Sequence, residues 1–492
     1  MEEQEPMTPS PEHALQLTRR TFLGRTAAGL GGVALASLLR PELLRAAPGS
    51  HPASRPAMAA GAAGFPNLPA RAKRVIFLYM SGGPSQFETF DHKPKLLELD
   101  GKPMPESFTS GQPIAQLQGQ ELKCLAPQAK FARYGRSGQE ISDFLPWTAK
   151  LADDIAIVRS MTTDQINHDP AHTVMNTGTS ISGRPSIGSW VTYGLGSDTA
   201  ELPGFVVLAS QGGRNPQPIS SRQWHSGFLP SRFQGVEFFS SGDPVHYVGN
   251  PRGVSRERQR RLVDTVKALN AVSNESIRDP EIETRIAAYE TAFHMQASVP
   301  GLMDISDEPP EVLEMYGTKG GDGSFASNCL LARRLAERGV RFIQLYHRGW
   351  DHHGDLVPYM TTCCRLTDRP TWALITDLKR RGMLDDTLVI WGGEFGRTPM
   401  FQGKGEKPGR DHHIRGFSMW LAGGGVKGGI TYGATDELGY YAVESVSHVR
   451  DLHATLLHLL GIDHRLFSVK HRGLDFRLTG VQQANVLREI LV

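Results

Sequence analysis

Four stretches of the chain concentrate side chains that hold metals or move protons. They are "INHDPAHTVMNTG" (166–178), "RGWDHHGD" (348–355), "WGGEFGRTP" (391–399) and "GRDHH" (409–413). Between them they carry His168, Asp169, His172, Asp351, His352, His353, Asp355, Glu394, Asp411, His412 and His413. Imidazole mixed with carboxylate suits Zn, Mn or Fe, and Ca or Mg where oxygen dominates. Neighbouring side chains point in different directions, so at most one histidine of each His-His doublet faces a metal. In the first stretch Asp169 reads as a helix N-cap, with Pro170 at the first helical position. His168 then lies just outside a helix N-terminus, where backbone N–H groups gather anions. The sequence carries no phosphate-binding Walker loop, no GxSxG elbow and no dinucleotide fingerprint. His453, His458 and His464 fall on or after an amphipathic helix and read as structural or exposed. His92, beside Asp91 and Lys93, reads as loop.

The elements that must position these groups are legible as buried strands alternating with helices. "KRVIFLYM" (73–80) is a continuous apolar run rich in β-branched and aromatic residues, a strand buried on both faces, and it opens into the Gly-rich "SGGPSQFETFD". Residues 155–161, 204–210, 340–347, 387–399 and 416–426 read as further strands. Residues 142–154, 255–272, 279–298, 328–339, 371–386 and 446–462 read as helices. This alternation implies an α/β fold with a central, mostly parallel sheet and helices on both faces. In such a sheet ligands bind beyond the carboxyl ends of the strands. Four polar clusters fall there, and "GRDHH" (409–413) precedes the next strand. Residues 211–250 are loop-rich, and the two long helical patterns after them form a helical cap insertion spanning 211–310.

Composition narrows the function. The chain has 492 residues, with 53 Lys and Arg against 51 Asp and Glu, so no charge excess points to nucleic acid. "LTRRTFLGRTAAGLGGVALASLL" (17–39) pairs Arg19 with Arg20 ahead of a Gly/Ala-rich apolar run, which reads as a twin-arginine (Tat) export signal. The run is too short to span a bilayer easily. Cleavage is expected near Ala47 or after Ala59, which leaves a periplasmic or extracellular protein that meets the Tat machinery once and has no stable membrane span. Residues 1–65 are thus signal and linker, and 66–492 one large domain. Cys124, Cys329, Cys363 and Cys364 allow either a bridge from Cys124 or Cys329 to one of the adjacent pair, or buried free thiols.

Taken together with "FLYMSGGPSQFETFDHKP", these motifs resemble the exported proteins of domain of unknown function family 1501, within the alkaline phosphatase/sulfatase-like superfamily. The resemblance covers roughly residues 70 to 480. It implies an alkaline-phosphatase-like fold and an exported, metal-dependent hydrolase of phosphate or sulfate esters, on small molecules or glycans. It implies one or two divalent ions (Zn, Mn, Ca or Mg) held by Asp351, His353, Glu394 and Asp411 or His412, meeting within about 5 Å of one point if ordinary ligand distances are to be met. His168 falls at or beside the nucleophile position, where it would act as nucleophile, general base or ligand. Arg397 would bind the oxyanion. Asn167, His172 and Ser85 would contact substrate. This chain departs from the superfamily pattern at three points. Ser81-Gly82-Gly83 follows the first strand where a metal-binding Asp is usual, with Glu88 or Asp91 beyond it. Phe395 stands where a His or Asn ligand would be. No Cys-x-Pro-x-Arg is present, so a formylglycine mechanism is not implied. The alternative is a non-catalytic exported binding or scaffold protein on the same fold.

Overall fold

The computed structural model describes residues 61–492 apart from 213–215, 247–248, 250–253 and 278–279. The twin-arginine segment and both expected cleavage points lie outside the described residues. A nine-stranded sheet forms the centre. Its strands are β1 (Arg74–Ser81), β2 (Ile155–Thr162), β3 (Phe205–Gln211), β4 (Val236–Phe238), β5 (Phe342–Arg348), β6 (Thr387–Gly392), β7 (Phe417–Ala422), β8 (Ile430–Tyr432) and β9 (Ser447–His448). The spatial order is β8-β2-β7-β6-β1-β5-β3-β4, with β9 beside β2. Only β7 runs against its neighbours, β2 and β6; the other pairings are parallel. No helix lies between β6 and β7, so the chain makes no crossover there and returns antiparallel.

Alternation along β1 shows why a continuous apolar run makes a central strand. Ile76, Leu78 and Met80 enter one core, and Val75, Phe77 and Tyr79 enter the other. The longer helices are α1 (His168–Thr177), α2 (Ile187–Leu195), α3 (Arg256–Ile277), α4 (Pro280–Met303), α5 (Pro310–Tyr316), α6 (Phe325–Glu337), α7 (Leu356–Arg380) and α8 (Val449–Leu459). The first core takes Leu335 of α6, Leu374 of α7 and Val299 of α4. The second takes Val174 of α1, Trp190 of α2 and Leu456 of α8. Both faces are therefore covered. The paired helices α3 and α4 border the segment 202–204 that leads into β3.

Two expected helices differ. Residues 142–154 form only a short 3-10 turn, Thr148–Leu151. Pro146 lacks an N–H, and the N–H groups of Trp147 and Thr148 bond to the Asp368 carboxylate instead of to a helix. Conversely, α7 begins fifteen residues before Thr371 and runs straight through Pro370. Burial of Met360, Cys363, Leu374 and Leu378 along one face outweighs the lost hydrogen bond. All four cysteines are buried free thiols.

Candidate metal centre

Four strand ends deliver the site. β1 ends in Ser81-Gly82-Gly83, β2 leads into α1, β5 leads into Asp351, and β6 into Glu394. After β6 the chain doubles back, and the short antiparallel pair Gly396–Arg397 and His412–His413 sets His412 opposite Arg397. Gly82 makes the assembly possible. Its φ is +124°, and a Cβ there would lie 2.5 Å from the Asp351 backbone nitrogen. Its own N–H donates to Glu394 Oε1 at 3.0 Å.

Three imidazoles converge on one carboxylate oxygen. Asp351 Oδ1 lies 3.2 Å from His168 Nε2, 2.8 Å from His353 Nε2 and 3.3 Å from His412 Nε2. Ligand atoms of these four residues all lie within 4.8 Å of one another. The opposite nitrogen of each ring is tied to an oxygen. His168 Nδ1 lies 2.6 Å from Glu394 Oε1, His353 Nδ1 2.5 Å from Gln402 Oε1, and His412 Nδ1 2.8 Å from the Ile166 carbonyl. For His168 and His412 this acceptor, a carboxylate or a backbone carbonyl, places a proton on Nδ1 and turns Nε2 inward, which is how proteins orient histidines on metals. His168 Nε2 is buried and faces Asp351 Oδ1. This donor set fits a divalent cation.

Charge agrees. Burial acts to raise the Asp351 carboxyl, but the Arg397 guanidinium beside it holds it far below the ordinary carboxylate range. Burial pushes the His412 imidazolium down to about 4, so that ring is neutral. Burial also acts against a charged His168, yet its bonds to Asp351 and Glu394 prevail and raise its pKa. A proton on His168 thus supplies charge that two buried carboxylates demand, and a cation would displace it.

The expected residues are distributed as follows. Asp351, His353 and His412 meet. Glu394 stands behind His168, in a second group with His168 and His172. His172 is fully buried; its Nδ1 lies 2.8 Å from the Tyr79 hydroxyl and 3.6 Å from Glu394 Oε2. Asp411 instead accepts from the backbone N–H groups of Gln116, Leu117 and His412. Arg397 is 1% exposed, and its guanidinium donates to the carbonyls of Gly82, Gly83, Arg410 and Trp350 and to Asp351. Ser85 donates to Glu88, whose carboxylate forms a fully buried pair with Arg410 at 2.8 Å. Asp91 pairs with Lys93 and Thr435. Asn167 is exposed and occupies the α1 N-cap, two residues before the cap expected from Asp169. Pro170 tolerates the shift because the N–H groups of the first helical turn need no partner. The other histidine of each doublet turns away, His352 Nε2 to the Gly349 carbonyl and His413 Nε2 to that of Tyr440. Phe395 is a wall, its ring 4.9 Å from His168 and 4.6 Å from His412. Two loops contribute side chains with no motif around them: Gln116 against His353, and Gln217, whose amide donates to Asp351 Oδ2 at 2.6 Å.

Residues 72–491, which hold every one of these groups, match the family described as "Protein of unknown function (DUF1501)". The chain belongs to this DUF1501 family. Solved structures similar to this DUF1501 chain include a sulfatase from Pseudoalteromonas sp., at 12% identity, with 80% of this chain and 69% of that chain covered and a TM-score of 0.31. Another is a phosphonate monoester hydrolase from Silicibacter pomeroyi, at 11% identity, 70% and 71% coverage and a TM-score of 0.29. A third is a protein of the alkaline phosphatase superfamily from Vibrio parahaemolyticus, at 10% identity, 81% and 70% coverage and a TM-score of 0.31. No curated protein matches the chain in sequence.

Proposed function

We propose that this chain is an exported, metal-dependent hydrolase of phosphate or sulfate esters, acting in the periplasm or outside the cell on a small-molecule or glycan ester. The observation that carries this is the convergence of His168, His353 and His412 Nε2 on Asp351 Oδ1, with each Nδ1 held by an oxygen. These four residues would hold the ion, and Glu394 would orient and polarise His168 from behind. A bound divalent ion there supplies Lewis acidity, polarising the ester and lowering the pKa of water.

The chain's own residues do the rest. The N-terminus of α1 opens beside His168 and attracts an anionic ester group. Phe395 and the His168 and His412 rings packed against it exclude water from one side of the cluster. Arg397 ties the ends of β1 and β5 to the segment before His412 through their carbonyls and fixes Asp351; it is a positioning residue, with four of its five N–H donors engaged by protein oxygens. His168 faces a carboxylate at each nitrogen, so a covalent intermediate on Nε2 would displace its contact with Asp351. Water therefore attacks the ester directly. Among the described residues no helix is long and apolar enough to cross a membrane; export through the Tat pathway rests on the N-terminal sequence.

The test is turnover of aryl phosphate and aryl sulfate esters by the full chain loaded with Zn, Mn, Ca or Mg. We expect hydrolysis without a pre-steady-state burst, lost in Asp351→Ala and His353→Ala. Metal binding without turnover on either ester class would replace this reading with that of a non-catalytic binding or scaffold protein.

A further inference from the structure

A closed ring of hydrogen bonds surrounds His353. Its Nδ1 lies 2.5 Å from Gln402 Oε1, Gln402 Nε2 lies 3.1 Å from Gln116 Oε1, and Gln116 Nε2 lies 3.1 Å from His353 Nε2. The ring closes self-consistently in two directions, because both amides can be turned together with the imidazole tautomer. In one direction Gln116 donates to a bare Nε2. In the other, Nε2–H donates to Gln116 and faces Asp351 Oδ1 at 2.8 Å. Either way Gln116 occupies the nitrogen that His353 offers to the cluster.

We infer that Gln116 is a gate on the metal centre: it competes with the cation for His353 Nε2 and is displaced when the cation binds. The inference rests on the metal site proposed above. Only one ring direction is compatible with a cation on Nε2, the one in which Nδ1–H donates to Gln402. Gln402 then supports the loaded state, while Gln116 supports only the empty one. The backbone under Gln116 does not move freely, because its N–H and that of Leu117 are clamped at 2.7 and 2.8 Å by Asp411 Oδ2. Only the exposed side chain has to swing. Released from His353, its amide faces the cleft and offers a donor and an acceptor to whatever the ion binds. This gives Asp411 a role as well: it fixes the hinge of the gate without touching the metal.

The test is titration of Zn2+ alone into the chelator-stripped full chain, comparing wild type with Gln116→Ala, Gln116→Asn and Gln402→Ala. Losing one neutral hydrogen bond that exists only in the empty state should tighten binding roughly threefold to tenfold in both Gln116 variants. Gln402→Ala should weaken it. Asparagine keeps the polarity but falls short of His353, so it guards against a simple loss of fold. Affinity unchanged or weakened in both Gln116 variants would overturn the gate while leaving the metal site standing. A wild-type chain that binds no Zn2+ would overturn both.

Discussion

His412 Nε2 faces Asp351 Oδ1 at 3.3 Å while His412 Nδ1 is bonded to the Ile166 carbonyl. A carbonyl only accepts, so the ring proton is on Nδ1, and the Nε2 lone pair points at a carboxylate oxygen. Burial keeps the ring neutral, so no second proton relieves the contact. Two lone pairs held face to face inside a protein call for a positive charge between them. Arg397 supplies part of it from one side; the rest is what a divalent ion would provide.

Glu394 should act on the metal through His168. Glu394→Gln keeps the shape and the Gly82 contact but removes the charge that polarises the ring. Loss of such an outer carboxylate typically weakens metal binding about 10–100-fold. Competition with a chromophoric chelator measures this, and a Zn2+ affinity equal to wild type would remove Glu394 from the account.

The Glu88–Arg410 pair should be structural. Both side chains are fully buried, and Arg410 also donates to the carbonyls of Leu125, Ala126 and Thr398. Glu88→Gln leaves the guanidinium uncompensated, with an expected cost of about 3–5 kcal/mol in urea unfolding. A loss of metal without a loss of stability would instead make Glu88 part of the centre.

How much of this was legible in the sequence follows from what each feature depends on. Strands β1, β2, β3 and β5 were legible because a strand buried on both faces is a short unbroken apolar run. The doublets at 352–353 and 412–413 located the site because they follow or precede such strands. The Gln116–Gln402–His353 ring was not legible: it joins residues 286 and 237 positions apart, and glutamine in a loop has no signature. Arg397 looked like an anion binder because a sequence shows a guanidinium and hides the carbonyls around it. Pro370 concealed the first half of α7, since local propensity speaks against a helix that packing then enforces.

Acid should unfold the protein through its buried neutral histidines, and His453 is the cleanest case. It is fully buried on α8, its Nε2 lies 2.8 Å from the Met175 carbonyl, and burial pushes its pKa down to about 4. The unfolded chain binds this proton near pH 6.5 and the folded chain only near pH 4, so stability present above 6.5 is lost as pH falls between the two, by on the order of 3 kcal/mol. The urea midpoint of the metal-free protein should drop across that window, and less steeply in His453→Gln. Equal slopes in the two proteins would contradict the assignment.

The most direct measurement is metal content. The full chain is incubated in turn with Zn2+, Mn2+, Ca2+ and Mg2+, desalted and subjected to elemental analysis, alongside Asp351→Ala and His412→Ala. Wild type should retain at least one of these ions stoichiometrically, with background levels in both variants. Background levels in wild type with all four ions, or full retention in both variants, would contradict the metal centre.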